Sequence, residues 1–257
     1  MSKFRRLLKF ERIKLFSSVS FYVVGGCMLS IGASSLVLLC MMDSFLYGNG
    51  HGVDSLGYTG IQLSHMVLTT CDFPLLMGIL VAIGICTEYS GKTFKNIWSR
   101  GFTRAETFFA KILTYALAAI IYSIILVVIT FLVGTAVFGP GEVNIYSFLV
   151  ILVEIVGCIA FSAVFSAVAF LFKKTAVAVV IAVAVPSLIN TGVTLLDIYF
   201  EYKKIDIHLS DYVLSGQLAK LYSMPTAKNL AISFILSFAY IVTAIVVGYF
   251  SMKKDEI

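Results

Sequence analysis

Glu88-Tyr89-Ser90-Gly91-Lys92-Thr93, followed by Arg100-Gly101-Phe102-Thr103-Arg104 and then Lys111, is a charged segment set between two long apolar runs. The 257-residue chain around it is 60% hydrophobic and 13% charged. A soluble domain carries about 25% charged residues. Half that value cannot cover a globular surface, so lipid is the solvent for most of this chain, and the segment reads as a connection between two membrane spans. Within it Phe94, Ile97 and Trp98 fall at i, i+3 and i+4, an apolar helical face. Lys92, Lys95, Asn96 and Ser99 cover the remainder. Gly101 is placed to end this short helix. Thr103-Arg104-Ala105-Glu106 then has the form of a capping box opening a long helix. Such a short helix lies across a membrane face rather than through it, or serves simply as a solvated turn. Gly91-Lys92-Thr93 imitates the end of a phosphate-binding loop, but Cys86 stands where the first glycine is required and no strand precedes it. Nucleotide binding at this point is excluded.

Working outward, a membrane span needs about 20 apolar residues. Six such runs lie at 18–42, 64–86, 107–138, 145–172, 175–198 and 229–251, giving an all-α integral membrane protein with the whole chain, 1–257, as one domain. The fourth and fifth are separated only by the tight turn Lys173-Lys174-Thr175. Fifteen of the nineteen Lys and Arg residues fall on the flanks 1–17, 87–111, 173–174 and 252–257. By the positive-inside rule both termini are therefore cytoplasmic, in a multi-pass plasma-membrane protein. Because the basic residues flank the spans instead of forming one patch, the net charge of +5 does not point to nucleic acid. Residues 1–17 form a basic helix. Its apolar face of Phe4, Leu7, Leu8 and Leu15 is interrupted by Glu11, and anionic lipid of the inner leaflet attracts its cations. Val24-Gly25-Gly26-Cys27 resembles a lipoprotein cleavage box, but the apolar run continues to Met42, too long for a cleaved leader. The five cysteines all lie in or at the ends of apolar runs, with no metal-binding spacing, and read as small packing residues with no disulfide. In the long segment 199–228, Leu209, Tyr212, Val213, Leu218, Leu221 and Tyr222 recur at helical spacing, a short amphipathic helix lying on, or re-entering, the outer surface. The glycine-rich stretch 43–63 reads as a loop.

Glu88-Tyr89, Gly91 and Thr93, then Arg100-Gly101, Arg104 and Lys111, resemble the ABC-2 type permeases, the membrane subunits of ATP-binding-cassette exporters. Six spans, cytoplasmic termini and a basic interfacial helix fit the same family along the whole chain. The resemblance implies that the connection between spans two and three is a coupling helix docking on a separate ATPase. Carried over, the contact comprises Glu88, Tyr89, Gly91, Thr93, Phe94, Ile97, Trp98, Arg100 and Arg104, with Lys173 and Lys174 as a second, smaller contact. Lys92 here splits the usual Gly-Thr pair of the family pattern. The resemblance also implies a bacterial source, a second permease copy, identical or related, and ATP with magnesium bound by the partner ATPase. This chain would carry no catalytic residue, cofactor or metal of its own.

Two polar stripes interrupt the spans. Gln62, His65, Thr69 and Asp72 share one face of the second span, and Ser187, Asn190, Thr191, Thr194 and Asp197 share one face of the fifth, just after Pro186. Intramembrane polar groups face water or protein. The stripes therefore line a wet cavity or bond helix to helix. In the resembled family spans two and five line the pathway, which assigns His65, Thr69, Asp72, Asn190, Thr194 and Asp197 to it. Glu154 stands alone in the fourth span, either protonated or paired with a neighbouring helix. Gly26, Ser30 and Ser34, and Ser162 with Ser166, are small residues at four-residue spacing that permit close helix contact. The expected function is export of an amphipathic or cationic peptide of antimicrobial type, or of a lipid-like toxin. The alternative is a proton-coupled secondary transporter using Asp72, Glu154 or Asp197, although no inverted repeat is visible. An intramembrane enzyme ranks last, since neither an HExxH motif nor a paired-aspartate arrangement occurs.

Overall fold

A computed structural model describes residues 3–47, 59–69, 72–141, 144–203, 209–223 and 226–253. Among these the chain is all α, without strands. The helices are α1 (Lys3–Phe16), α2 (Val19–Tyr47), α3 (Gly60–Thr69), α4 (Asp72–Ser90), α5 (Thr93–Ser99), α6 (Arg104–Phe138), α7 (Ile145–Phe172) and α8 (Thr175–Tyr202). A 3₁₀ turn, Leu209–Tyr212, then precedes α9 (Leu214–Ser223) and α10 (Ala227–Lys253). Six of them, α2, α4, α6, α7, α8 and α10, are long and apolar enough to cross a membrane. Of the loop expected at 43–63, residues 43–47 instead belong to α2 and 60–63 to α3, while 48–58 lie outside the described residues.

The second span, expected at 64–86, is described in two stretches, α3 as far as Thr69 and α4 from Asp72. At 35 residues α6 is about 52 Å long. That exceeds the roughly 30 Å hydrocarbon thickness, so α6 tilts within the bilayer or projects beyond it.

Consecutive connections sort to opposite ends of the bundle. At one end the Arg104 guanidinium donates to the Lys253 carbonyl at 3.1 Å, and the Ser251 hydroxyl donates to the Phe170 carbonyl at 3.0 Å. At the other end the Gly60 N–H donates to the Gly139 carbonyl at 2.9 Å. Between them α7 is the central helix, packed on α10, α4 and α6. Its seam with α10 is made of small residues: Ala163, Ala167 and Ala244 are buried together. Ser162 and Ser166 are buried in the same helix, whereas Gly26, Ser30 and Ser34 of α2 are exposed. Only Ala178 and Ala182 of α8 are buried, and its Leu188, Leu195 and Ile198 point outward. An apolar exterior of this kind is what a lipid solvent permits.

Candidate functional site

The charged end is assembled from α1, α4, α5, α6 and the α7–α8 turn. Its local geometry follows from the sequence. Lys92, with φ of 53°, reverses the chain between α4 and α5, and Gly101, with φ of +82°, reverses it again after Arg100. Only glycine adopts the second conformation without strain. The capping box then starts α6: the Glu106 N–H donates to Thr103 Oγ1 at 3.2 Å, and the Thr103 N–H donates to Glu106 Oε2 at 2.9 Å.

These turns aim the apolar face of α5 into the bundle. Phe94 and Ile97 are buried, at 2% and 6% exposure. Phe94 packs between Tyr89 and Trp98, with ring centroids 4.6 and 5.8 Å away, and reaches Phe170 at the end of α7. The Arg104 guanidinium lies 5.3 Å from the centre of the Trp98 ring, and the Lys173 ammonium 5.8 Å from that of Tyr89. Burial lowers the Lys173 ammonium below its ordinary range. Thus the two connections singled out in the sequence, 88–104 and 173–174, meet through Tyr89. Phe94, Ile97 and Trp98 anchor α5, while Lys95, Asn96, Ser99 and Arg100 remain exposed.

Behind α5 lies a buried charge cluster. Lys111 donates to both Glu11 Oε2 and Glu88 Oε1, and Lys14 donates to Glu88 Oε1 at 2.6 Å. Glu11 and Lys111 are 2% exposed and Glu88 is 4% exposed. Desolvation pushes the Glu11 carboxyl up, against the opposing pull of Lys111. Beside the cluster is a cavity of about 120 Å³ that Ser18, Thr87, Thr114 and Tyr115 also line. Glu88 was placed in the sequence as a docking residue; here it ties α4 to α1 and α6. The role of Glu11 was missed. Its signal was visible, however: one acid on an otherwise apolar face, whose burial requires a cation.

The two polar stripes share α7 as a neighbour but bond to different groups: α3 packs on α6, α7 and α9, and α8 on α4, α7 and the 3₁₀ turn. His65 Nδ1 meets Glu154 Oε2 at 2.9 Å, so Glu154 is not alone but paired across the α3–α7 contact. Glu154 is fully buried, and its Oε1 has no partner among the described residues. The Thr69 and Thr194 hydroxyls donate to carbonyls of their own helices. Asp197 accepts from the Leu209 N–H at 2.6 Å and the Ser210 N–H at 3.1 Å. Asn190 Oδ1 accepts from the Ser215 hydroxyl. The side chain of Asp72 lies outside the described residues. The fifth-span stripe thereby fastens the segment that carries α9. The amphipathic helix expected there is split into the 3₁₀ turn and α9, with Leu218 and Leu221 buried and Tyr212 exposed. Gly157 of α7 makes room for it: a Cβ there would come within 2.7 Å of Leu218.

A profile described as ABC-2 family transporter protein matches residues 7–186. The match runs from α1 through the charged connection and the α7–α8 turn into α8. No curated protein matches the chain.

Proposed function

The chain belongs to the ABC-2 family of transporter proteins, and from this premise we propose that it is the permease of an ATP-driven exporter whose ATPase is a separate subunit. A transporter membrane subunit in this family normally pairs with an ATP-binding-cassette ATPase. The observation that carries the proposal is the meeting of the two short connections at one end of the bundle, with Lys173 over Tyr89. In this reading α5 is the coupling helix and the charged end faces the cytoplasm. Lys95, Asn96 and Ser99 meet the ATPase. Phe94, Ile97 and Trp98 transmit its displacement to α4, α6 and α7, because they are wedged among those helices. ATP and magnesium act on the partner. Two copies of the permease pair, and the exposed small residues Gly26, Ser30 and Ser34 on α2 permit a close seam.

An amphipathic cargo, a peptide or a lipid-like toxin, suits a bundle whose charged-end connections are too short to build a polar binding domain. The test is reconstitution of the chain with its cognate ATPase in proteoliposomes. ATP should drive export with no ion gradient present, and the permease alone should hydrolyse no ATP.

A second reading has one observation in its favour. The buried His65–Glu154 pair is chemistry that a proton-coupled secondary transporter would use. Transport driven by a proton gradient with no ATPase present would select it.

A further inference from the structure

Between α1 and α5 runs a groove of about 310 Å³. Its floor is apolar, made of Leu7, Phe10, Ile97 and Phe102, and Arg6 and Arg100 stand on its rim. Thr93 and Asn96 add a hydroxyl and an amide on the α5 side. Two cations and no acid line the groove, and neither arginine forms an ion pair among the described residues. The only acid described on α1, Glu11, is turned away and occupied by Lys111.

The position of the groove fixes the kind of occupant. α1 ends at Phe16 and the first span starts at Val19; α4 ends at Ser90 and α5 starts at Thr93. α1 and α5 each join a span within three residues, and in this reading both lie along the headgroup region. The free face of α1 mixes exposed Arg5, Lys9 and Arg12 with Phe10 at 49% and Ile13 at 57% exposure. A helix carrying exposed cations and exposed large apolar side chains together suits the interface between headgroups and acyl chains. Guanidinium groups match phosphate oxygens in planar, two-point geometry.

We propose that this groove is a binding site for an anionic phospholipid, whose phosphate is held by Arg6 and Arg100 while its first acyl methylenes lie on Leu7, Phe10, Ile97 and Phe102. The site rests on the reading that α5 faces the inner leaflet, and on nothing about the ATPase. A lipid held there touches both α1 and the proposed coupling helix. Membrane composition would thereby bear on how α5 is presented.

Trp98, the chain's single tryptophan, reports on the site, because it packs in the same cluster as Leu7, Ile97 and Phe102. The full-length chain is placed in vesicles of phosphatidylcholine and phosphatidylglycerol, with brominated acyl chains on either one lipid or the other at equal mole fraction. Quenching of Trp98 by brominated phosphatidylglycerol is expected to exceed that by brominated phosphatidylcholine by at least about twofold. In Arg6→Gln/Arg100→Gln the ratio should fall to about one, with an unchanged melting curve, since both side chains are exposed. In Lys92→Gln/Lys95→Gln, whose charges are nearby but outside the groove, the preference should remain. Equal quenching in the unaltered protein overturns the proposal. So does an equal loss in the lysine variant, which would mean diffuse attraction without a site. Abolition of the preference by inorganic phosphate, but not by chloride of the same ionic strength, would assign the groove to free phosphate. If the arginine variant keeps its lipid preference but no longer co-purifies with the ATPase, the groove belongs to the ATPase. Failure of the unaltered chain to bind or be driven by an ATPase would fault the exporter reading and leave this site standing.

Discussion

The Lys173 ammonium lies over the ring of Tyr89, 5.8 Å from its centre, although eighty-four positions separate the two residues. Tyr89 belongs to the connection after α4 and Lys173 to the turn after α7. Their meeting joins the only two described interspan connections at the charged end into one surface. α5 is seated on that surface by Phe94, which packs on Tyr89 and Phe170 together.

Removing the central cation of the buried cluster should damage this surface far more than removing one acid. Lys111→Met leaves Glu11 and Glu88 buried with Lys14 as their remaining cation, and a broken buried pair costs about 3–5 kcal/mol. Glu11→Gln should cost less, because Lys111 keeps Glu88. The triple variant Lys111→Met/Glu11→Gln/Glu88→Gln should recover part of the loss, since the one charge left, Lys14, is partly exposed to solvent. Thermal melting of the detergent-solubilised chain checks the order, and a Lys111→Met protein as stable as the parent contradicts it.

The same cluster sets a pH dependence. Burial raises the Glu11 carboxyl above its ordinary value of 4.5. The folded state therefore holds this proton more tightly than the unfolded state. Its contribution is fully present below pH 4.5 and is lost as pH rises through the folded value. Melting temperature should fall across that window in the parent and fall less in Glu11→Gln. An opposite slope at Glu11 would show that Lys111, not desolvation, dominates.

Much of this was legible in the sequence, and the remainder failed for identifiable reasons. Gly101 and the Thr103–Glu106 box announced the ends of α5 and α6, because capping needs particular residues at fixed spacing. The six apolar runs announced the spans through composition alone. Side-chain direction was the harder matter. An apolar face at i, i+3 and i+4 says that Phe94, Ile97 and Trp98 pack against something; it does not say whether that is this chain or a partner. Long-range pairs such as Glu11–Lys111 and His65–Glu154 depend on which helices are neighbours, and uniformly apolar spans carry no periodicity that reveals it.

The His65–Glu154 pair should behave as structural bonding if export is ATP-driven. His65→Leu strands a fully buried carboxyl, at a cost of about 1–3 kcal/mol. His65→Leu/Glu154→Leu removes both groups and should be closer to the parent in stability, with ATP-driven export preserved. A double variant that folds and docks its ATPase but exports nothing would contradict this assignment.

At the opposite end, Asp197→Ala frees two backbone N–H groups of the 3₁₀ turn at once. The loss should resemble that of a helix cap, about 0.5–2 kcal/mol. It should appear as faster protease cleavage within 203–223, with Asp197→Asn intermediate because it keeps one acceptor. Unchanged cleavage in Asp197→Ala would show that the turn is held by other contacts.

The most direct test of the account is site-specific cross-linking of α5 to the ATPase, in a chain lacking its native cysteines. Asn96 is exposed and Ile97, its immediate neighbour, is buried. With the cognate ATPase co-expressed, Asn96→Cys should cross-link to it through a short thiol reagent, and nucleotide should change the yield. Ile97→Cys should not cross-link. A cross-link from Ile97→Cys but not from Asn96→Cys, or no ATPase contact from any exposed position on α5, would contradict the claim that this helix couples ATP hydrolysis to transport.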